Sequence, residues 1–218
     1  MQEEQPVKRS WFTGVVVVLL VASLTYSVFL FSHKLQNDQR EKALRGERII
    51  TSAWDTRLYT EMIIENTRKL LDTDDLGERI AAKQALGYTF GGYPKGVQAF
   101  IGAAQDIEPR ELPGHQRNAL TFLSQIELSV RSIGNHDQPL SPEERAYLED
   151  VVSLYERMHA EINRFGVTQT TQQESLLVLS ELEWVDMAYA ILDMMNEPEG
   201  VLFEGVNAED AAQTEAAQ

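Results

Sequence analysis

Cysteine is absent from the 218 residues of this chain. That removes disulfide scaffolds, thiolate zinc sites and cysteine nucleophiles, and leaves the redox compartment open. Basic charge is scarce as well: 19 Lys+Arg stand against 34 Asp+Glu, a formal net charge of -15. So acidic a chain repels a phosphate backbone, which excludes nucleic acid as its partner. Glycine (13) and proline (7) are too few for a collagenous or low-complexity chain. Catalytic signatures are missing too. There is no Gly-x-Ser-x-Gly, no Ser-x-x-Lys and no His-Glu-x-x-His, so the chain is not expected to be an enzyme or to carry a cofactor.

What the sequence does contain is one long uncharged run, the 21 residues from Trp11 to Phe31. As a helix rising 1.5 Å per residue it covers about 30 Å, the thickness of a bilayer's hydrocarbon core. Residues 11–31 are therefore read as a transmembrane helix, with Lys8, Arg9, Trp11 and Phe31 at the membrane interfaces. A cleaved signal peptide is the competing reading. The run is longer than a typical signal core, and Phe29 to Lys34 offers no small-x-small cleavage site. Lys34, Arg40, Lys42, Arg45 and Arg48 follow the span, so a raw basic count places the following domain inside. Lys8 and Arg9 abut the membrane edge, however, and long domains translocate largely regardless of charge. The expected orientation is residues 1–10 in the cytoplasm and the domain outside.

Beyond the span, residues 32–196 read as an all-α body, an antiparallel bundle of about four long helices and two short ones. The first long helix becomes amphipathic at Ile50, Trp54, Leu58, Ile64 and Leu71, and its polar first half is a candidate stalk for pairing two copies. A short helix over about Leu76 to Leu86 precedes Gly87 to Gly96, whose four glycines and proline predict a loop. A second short helix carries Val97, Phe100, Ile101 and Ala104. Ala119, Leu123, Ile126, Val130 and Ile133 form a core stripe, broken at Gly134. Ser141-Pro142-Glu143-Glu144 is a capping-box start for a helix whose stripe runs from Leu148 through Val151, Tyr155, Met158 and Ile162 to Phe165. After a polar linker over Thr168 to Gln173, the segment from Leu177 to Met195 is apolar nearly all round and predicts one deeply buried helix. Residues 197–218 hold six acidic and no basic residues and read as a disordered tail.

Three groups of residues invite a chemical reading. Glu156 and His159 have the i, i+3 spacing of a di-iron bundle ligand pair, but only one such pair exists and Glu156 lies off the core stripe, so no metal is expected. Glu181, Glu183, Asp186 and Asp193 lie along one helix, which does not make the cleft that glycan hydrolysis requires. Tyr88, Phe90 and Tyr93 in the glycine-rich segment are the candidate interaction loop, because aromatic side chains often anchor partners.

The order of features also carries a resemblance. A basic N-terminus, one span, a long helix, Phe122-Leu123-Ser124-x-Ile126, a Pro139-Leu140 turn and a final Leu182-x-Trp184-x-Asp186-x-x-x-Ala190 resemble the N-terminal region of the YpeB family of spore-germination membrane proteins. That resemblance implies a spore membrane and a role in localising or stabilising a cortex-lytic enzyme, with Leu182, Trp184 and Asp186 as the family-like element of the bundle core. Members of the family continue into PepSY repeats, and nothing carried by those repeats transfers. The expected function is a single-pass, membrane-anchored interaction or scaffold module whose partners are the bilayer and another envelope protein. The alternatives are an extracytoplasmic ligand-sensing bundle and, more weakly, an envelope hydrolase using Glu181 or Glu183.

Overall fold

The computed structural model describes residues 11–111, 117–198 and 200–203. Lys8, Arg9, His115 and the acidic residues from Glu204 onward lie outside the described residues. All regular structure within them is helical: α1 (Trp11–Asp72), α2 (Leu76–Gly92), α3 (Pro94–Ile107), α4 (Ala119–Ser132), α5 (Pro142–Ile162), α6 (Gln172–Leu177) and α7 (Glu183–Asn196).

The 62 residues of α1 make one unbroken helix, about 93 Å long. Its apolar first third packs against no other element: Trp11 is 86% and Phe31 70% exposed. The part from Trp11 onward is long and apolar enough to cross a membrane by length and composition. A polar, exposed stretch follows, and the first buried residue is Gly46. From there to Leu71 the same helix is the spine of the body, against which α2, α3, α5 and α6 pack.

The buried face of this spine is wider than its apolar stripe. Ile50, Ile64 and Leu71 are buried, Trp54 is half-buried and Leu58 is exposed. The remaining core positions include Tyr59, Ile63 and Leu70, and with them Thr56, Thr60, Asn66 and Thr67. A helix contacted on several sides buries polar positions, and most of their groups find a partner within the helix, the Thr67 hydroxyl being left without one. Thr56 Oγ1 donates to the Ser52 carbonyl at 2.7 Å and Asn66 Nδ2 to the Met62 carbonyl at 2.9 Å.

The glycine-rich segment is not a loop. Helix α2 continues through Gly87, Gly91 and Gly92, and only Tyr93 separates it from Pro94 at the start of α3. Thr89 and Phe90 are buried against the body, so tertiary packing outweighs the roughly 1 kcal/mol helix penalty of each glycine. The bend instead falls where Pro94, lacking a backbone donor, suits a first helical position.

The segment from Leu177 to Met195 is not one continuous helix: Leu177 ends α6, which begins at Gln172 inside the expected linker, residues 178–182 turn, and α7 starts at Glu183. The amides of Ser180 and Glu181 both donate to the Leu177 carbonyl, and Ser180 Oγ joins them at 2.9 Å. Side chain and turn thus compete for an acceptor that a continuous helix would use once. Trp184 Nε1 takes the Val178 carbonyl at 2.8 Å, which gives a buried indole its partner.

Elsewhere the stripes lie where the sequence places them. The α4 and α5 positions from Ala119 to Ile133 and from Leu148 to Phe165 are buried, and Ser141 and Glu144 form a complete capping box. Gly134, at φ +66°, supplies the left-handed residue that turns the chain after α4. Its amide donates to Glu144 Oε1 at 2.7 Å, and His136 Nε2 lies 3.0 Å from Oε2, so one carboxylate both caps α5 and closes the corner.

Candidate interaction surface

Helix α2 has two dissimilar faces. Arg79, Ala82, Leu86, Thr89 and Phe90 point inward and are buried. The outward positions Leu76, Ile80, Ala81, Gln84, Tyr88 and Gly91 are exposed and uncharged, and the exposed Glu78 of the first turn flanks them. Ile80 is 58% and Tyr88 71% exposed, and Leu76 continues the row by one turn. By contrast, α5 turns Glu143, Glu149, Asp150 and Arg157 to solvent. Leu76, Ile80 and Tyr88 thus place three large apolar side chains on one exposed side of a surface helix, with Gln84 in register between them.

The three aromatic residues of the expected interaction loop therefore part company. Tyr88 stands on the outward face, Phe90 is 4% exposed and belongs to the core, and Tyr93 is half-buried against it. One hundred degrees of helical rotation per residue separates Tyr88 from Phe90, which a loop assignment conceals.

The family-like element divides in the same way. Trp184 is 2% exposed, its ring centroid 5.6 Å from that of Phe100. Leu182 does not belong to the core: it is exposed, at the N-cap of α7, ahead of the first full helical turn. Asp186 is exposed and pairs with Arg110 at 2.6 Å, and the Arg110 guanidinium sits 4.6 Å above the Tyr189 ring. This cluster ties the segment after α3 to α7, reinforced by the Tyr189 hydroxyl donating to the Glu108 carbonyl at 2.8 Å.

Glu156 and His159 share no site. Glu156 pairs with Arg68 at the surface, and His159 Nδ1 meets Thr60 Oγ1 at 2.9 Å between α1 and α5. Among the described residues no group of three or more His, Asp or Glu side chains could hold a metal ion. Glu181 and Glu183 are exposed at the turn into α7.

Two features escape a reading of the sequence alone. The first is the buried cation of α2: Arg79 is 1% exposed, donates through Nη1 to the Gln138 carbonyl at 2.7 Å, and leaves Nε and Nη2 without a partner. Lys83, one turn on, donates to the carbonyls of Arg131 and Ile133, and burial, with Arg79 adding to it against the pull of Glu144, lowers its ammonium below the usual range. The α2 cations thereby hold the end of α4 and the turn that follows. The second is the chain after α7. Residues 197–203, expected within a disordered tail, include a packed strap: Val201 is buried and its carbonyl accepts from the Tyr147 hydroxyl at 2.7 Å. The Phe203 amide donates to Ser129 Oγ at 3.0 Å, and its ring meets that of Tyr147 edge-on at 5.5 Å. Between strap, α4 and α5 lies a cavity of about 350 Å³ floored by Phe122, Ile126, Val151 and Leu154. The short apolar run Val201-Leu202-Phe203 inside an otherwise acidic stretch is the one trace of this in the sequence.

No family model, curated protein or solved structure matches the chain.

Proposed function

We propose that this protein is a single-pass, membrane-anchored interaction module, with residues 1–10 in the cytoplasm and its helical body held outside on α1. The observation that carries the proposal is the division of α1. One helix is apolar and uncovered from Trp11 to Phe31, polar and exposed through Lys42, and buried from Gly46. An apolar, uncovered helix of that length calls for lipid, and the polar stretch between lifts the body about 20 Å from it. The uncharged face of α2 supports the second half of the reading, a surface for a protein partner.

The absence of cysteine makes the orientation directly testable. With Asp150→Cys as the sole thiol, a membrane-impermeant maleimide added to intact cells is expected to label the protein. Labelling only after permeabilisation would reverse the orientation, and extraction of the chain by alkaline carbonate would remove the anchor.

The resemblance to the YpeB region narrows the proposal to a spore membrane and to localising or stabilising a cortex-lytic enzyme. Loss of such an enzyme from spore membranes on deletion of this protein supports that role, and unchanged enzyme levels overturn it. A second reading, a ligand-sensing bundle, is favoured by the cavity beneath the C-terminal strap. A thermal shift with small amphipathic ligands, lost on Phe122→Trp, distinguishes it.

A further inference from the structure

We propose that the outward face of α2 pairs with the same face of a second copy, in parallel, forming a homodimer in the plane of the membrane. The inference rests on the reading of α2 as a contact face and names its occupant.

Charge selects the partner. The chain carries -15, and the exposed acids of α5 and α7, among them Glu149, Asp150, Glu183 and Asp193, repel a second copy wherever they meet it. Homotypic contact requires a face free of that charge, and the row Leu76, Ile80, Gln84 and Tyr88 with Ala81 and Gly91 beside it is such a face. Small residues flanking the row allow close helix approach, and Gln84, an amide, both donates and accepts, so it is its own complement across a two-fold axis.

Geometry sets the orientation. Helix α2 begins just past the end of α1 at Asp72 and packs back along it, and at Gly96, just beyond the bend, the chain lies against Asp55. The axis of α2 thus follows that of α1. Copies anchored by α1 present their α2 rows at the same height and in the same direction, which suits a two-fold axis along the membrane normal.

Area sets the strength. A row of four turns offers a few hundred Å², short of the ~800 Å² per partner of a stable soluble interface. The pairing is therefore a property of the anchored chain, in which confinement to a surface raises the effective concentration.

The experiment uses the full chain in its native membrane, with Gln84→Cys as the only thiol and mild oxidation. The expected result is a disulfide-linked species at twice the 24.7 kDa chain mass, with little from Glu149→Cys on α5. Adding Ile80→Asp, an exposed position whose change leaves the fold intact by circular dichroism, sets like charges against each other and is expected to cut the yield at least ~10-fold. Equal cross-linking from Glu149→Cys, or none from Gln84→Cys, overturns the homodimer. A photo-cross-linker at position 84 then separates the failures. An adduct with a different protein leaves α2 a contact face with another partner, whereas no adduct removes the contact face itself.

Discussion

The backbone carbonyl of Ser175 in α6 occupies the space that a Cβ on Gly46 of α1 would need. Gly46 is the first buried residue after the exposed stalk, so this contact marks where the body begins. Ser175 is itself buried, and Thr171 caps α6 with its side chain.

Gly46→Ala should accordingly destabilise the body. Alanine gains about 0.5–1 kcal/mol of helix preference over glycine, but the obstacle is backbone, which cannot rotate away, and overpacking costs about 1–3 kcal/mol. Gly102→Ala in α3 is the matched control, since nothing lies within 4 Å of the place its Cβ would take, and it should raise stability by about 0.5–1 kcal/mol. Denaturant midpoints of the two variants should move in opposite directions. A stabilised Gly46→Ala would mean that α6 does not pack there.

Glu144 makes the α4–α5 corner acid-sensitive. Burial opposes its ionisation, but the amides of Gly134 and Ser141 and the His136 ring outweigh burial and hold the carboxyl below its usual range. A depressed carboxyl stabilises the fold above its unfolded pKa, and this contribution disappears as pH falls through the folded value. Glu144→Gln keeps the size and removes the charge, at a cost of about 1–3 kcal/mol at neutral pH. The difference from the parent should shrink on acidification, as read from melting curves across the acid range. A difference that stays constant down to low pH would place the effect elsewhere.

Base should unfold the protein through its buried phenols. Burial raises Tyr59 and Tyr155 well above the ordinary phenol range, and pushes Tyr147 up to about 12. A raised phenol contributes fully below its unfolded value near pH 10, and the contribution is lost as pH rises through the folded value. Each phenol that stays neutral only in the fold removes about 1.4 kcal/mol per pH unit in that window. Phenolate absorbance of these residues should appear together with loss of helix. The Tyr59 and Tyr155 hydroxyls lie 3.2 Å apart in the core, so either single Phe variant strands the other hydroxyl. The double Phe variant should recover much of the loss and flatten the alkaline limb.

Much of this architecture is legible in the sequence because it rests on short-range physics. The apolar run, the α4 and α5 stripes and the Ser141 cap are local patterns, and they appear in place. Three features are not local. The glycines of α2 stay helical because Thr89 and Phe90 find a core that lies elsewhere in the chain, and that continuity is what puts Tyr88 and Phe90 on opposite faces. The break before α7 depends on Trp184 finding the Val178 carbonyl, a matter of side-chain reach rather than periodicity. The burial of Arg79 depends on the Gln138 carbonyl, which the turn between α4 and α5 brings to it. The uncharged row on α2 is visible in the sequence as residues but not as a face, since a face needs the helix to be known first.

The strap after α7 should be a separately releasable element. The Tyr147 hydroxyl, Ser129 Oγ and the edge-on contact between Phe203 and Tyr147 hold it to α4 and α5. Tyr147→Phe removes the donor to the Val201 carbonyl, which then keeps only the longer 3.3 Å bond from Ser129, at a cost of about 0.5–1.5 kcal/mol. Phe203→Ala removes an aromatic pair worth a further 0.5–1.5 kcal/mol, roughly, beyond its burial. Because the strap follows the last helix of the described residues rather than joining two helices, the loss should be local. Hydrogen exchange at the Phe203 amide should quicken in Tyr147→Phe while the α1 amides around Ile63 keep their protection. If exchange quickens equally in α1, the strap is part of the cooperative core, and the cavity beneath it opens only when the whole bundle unfolds.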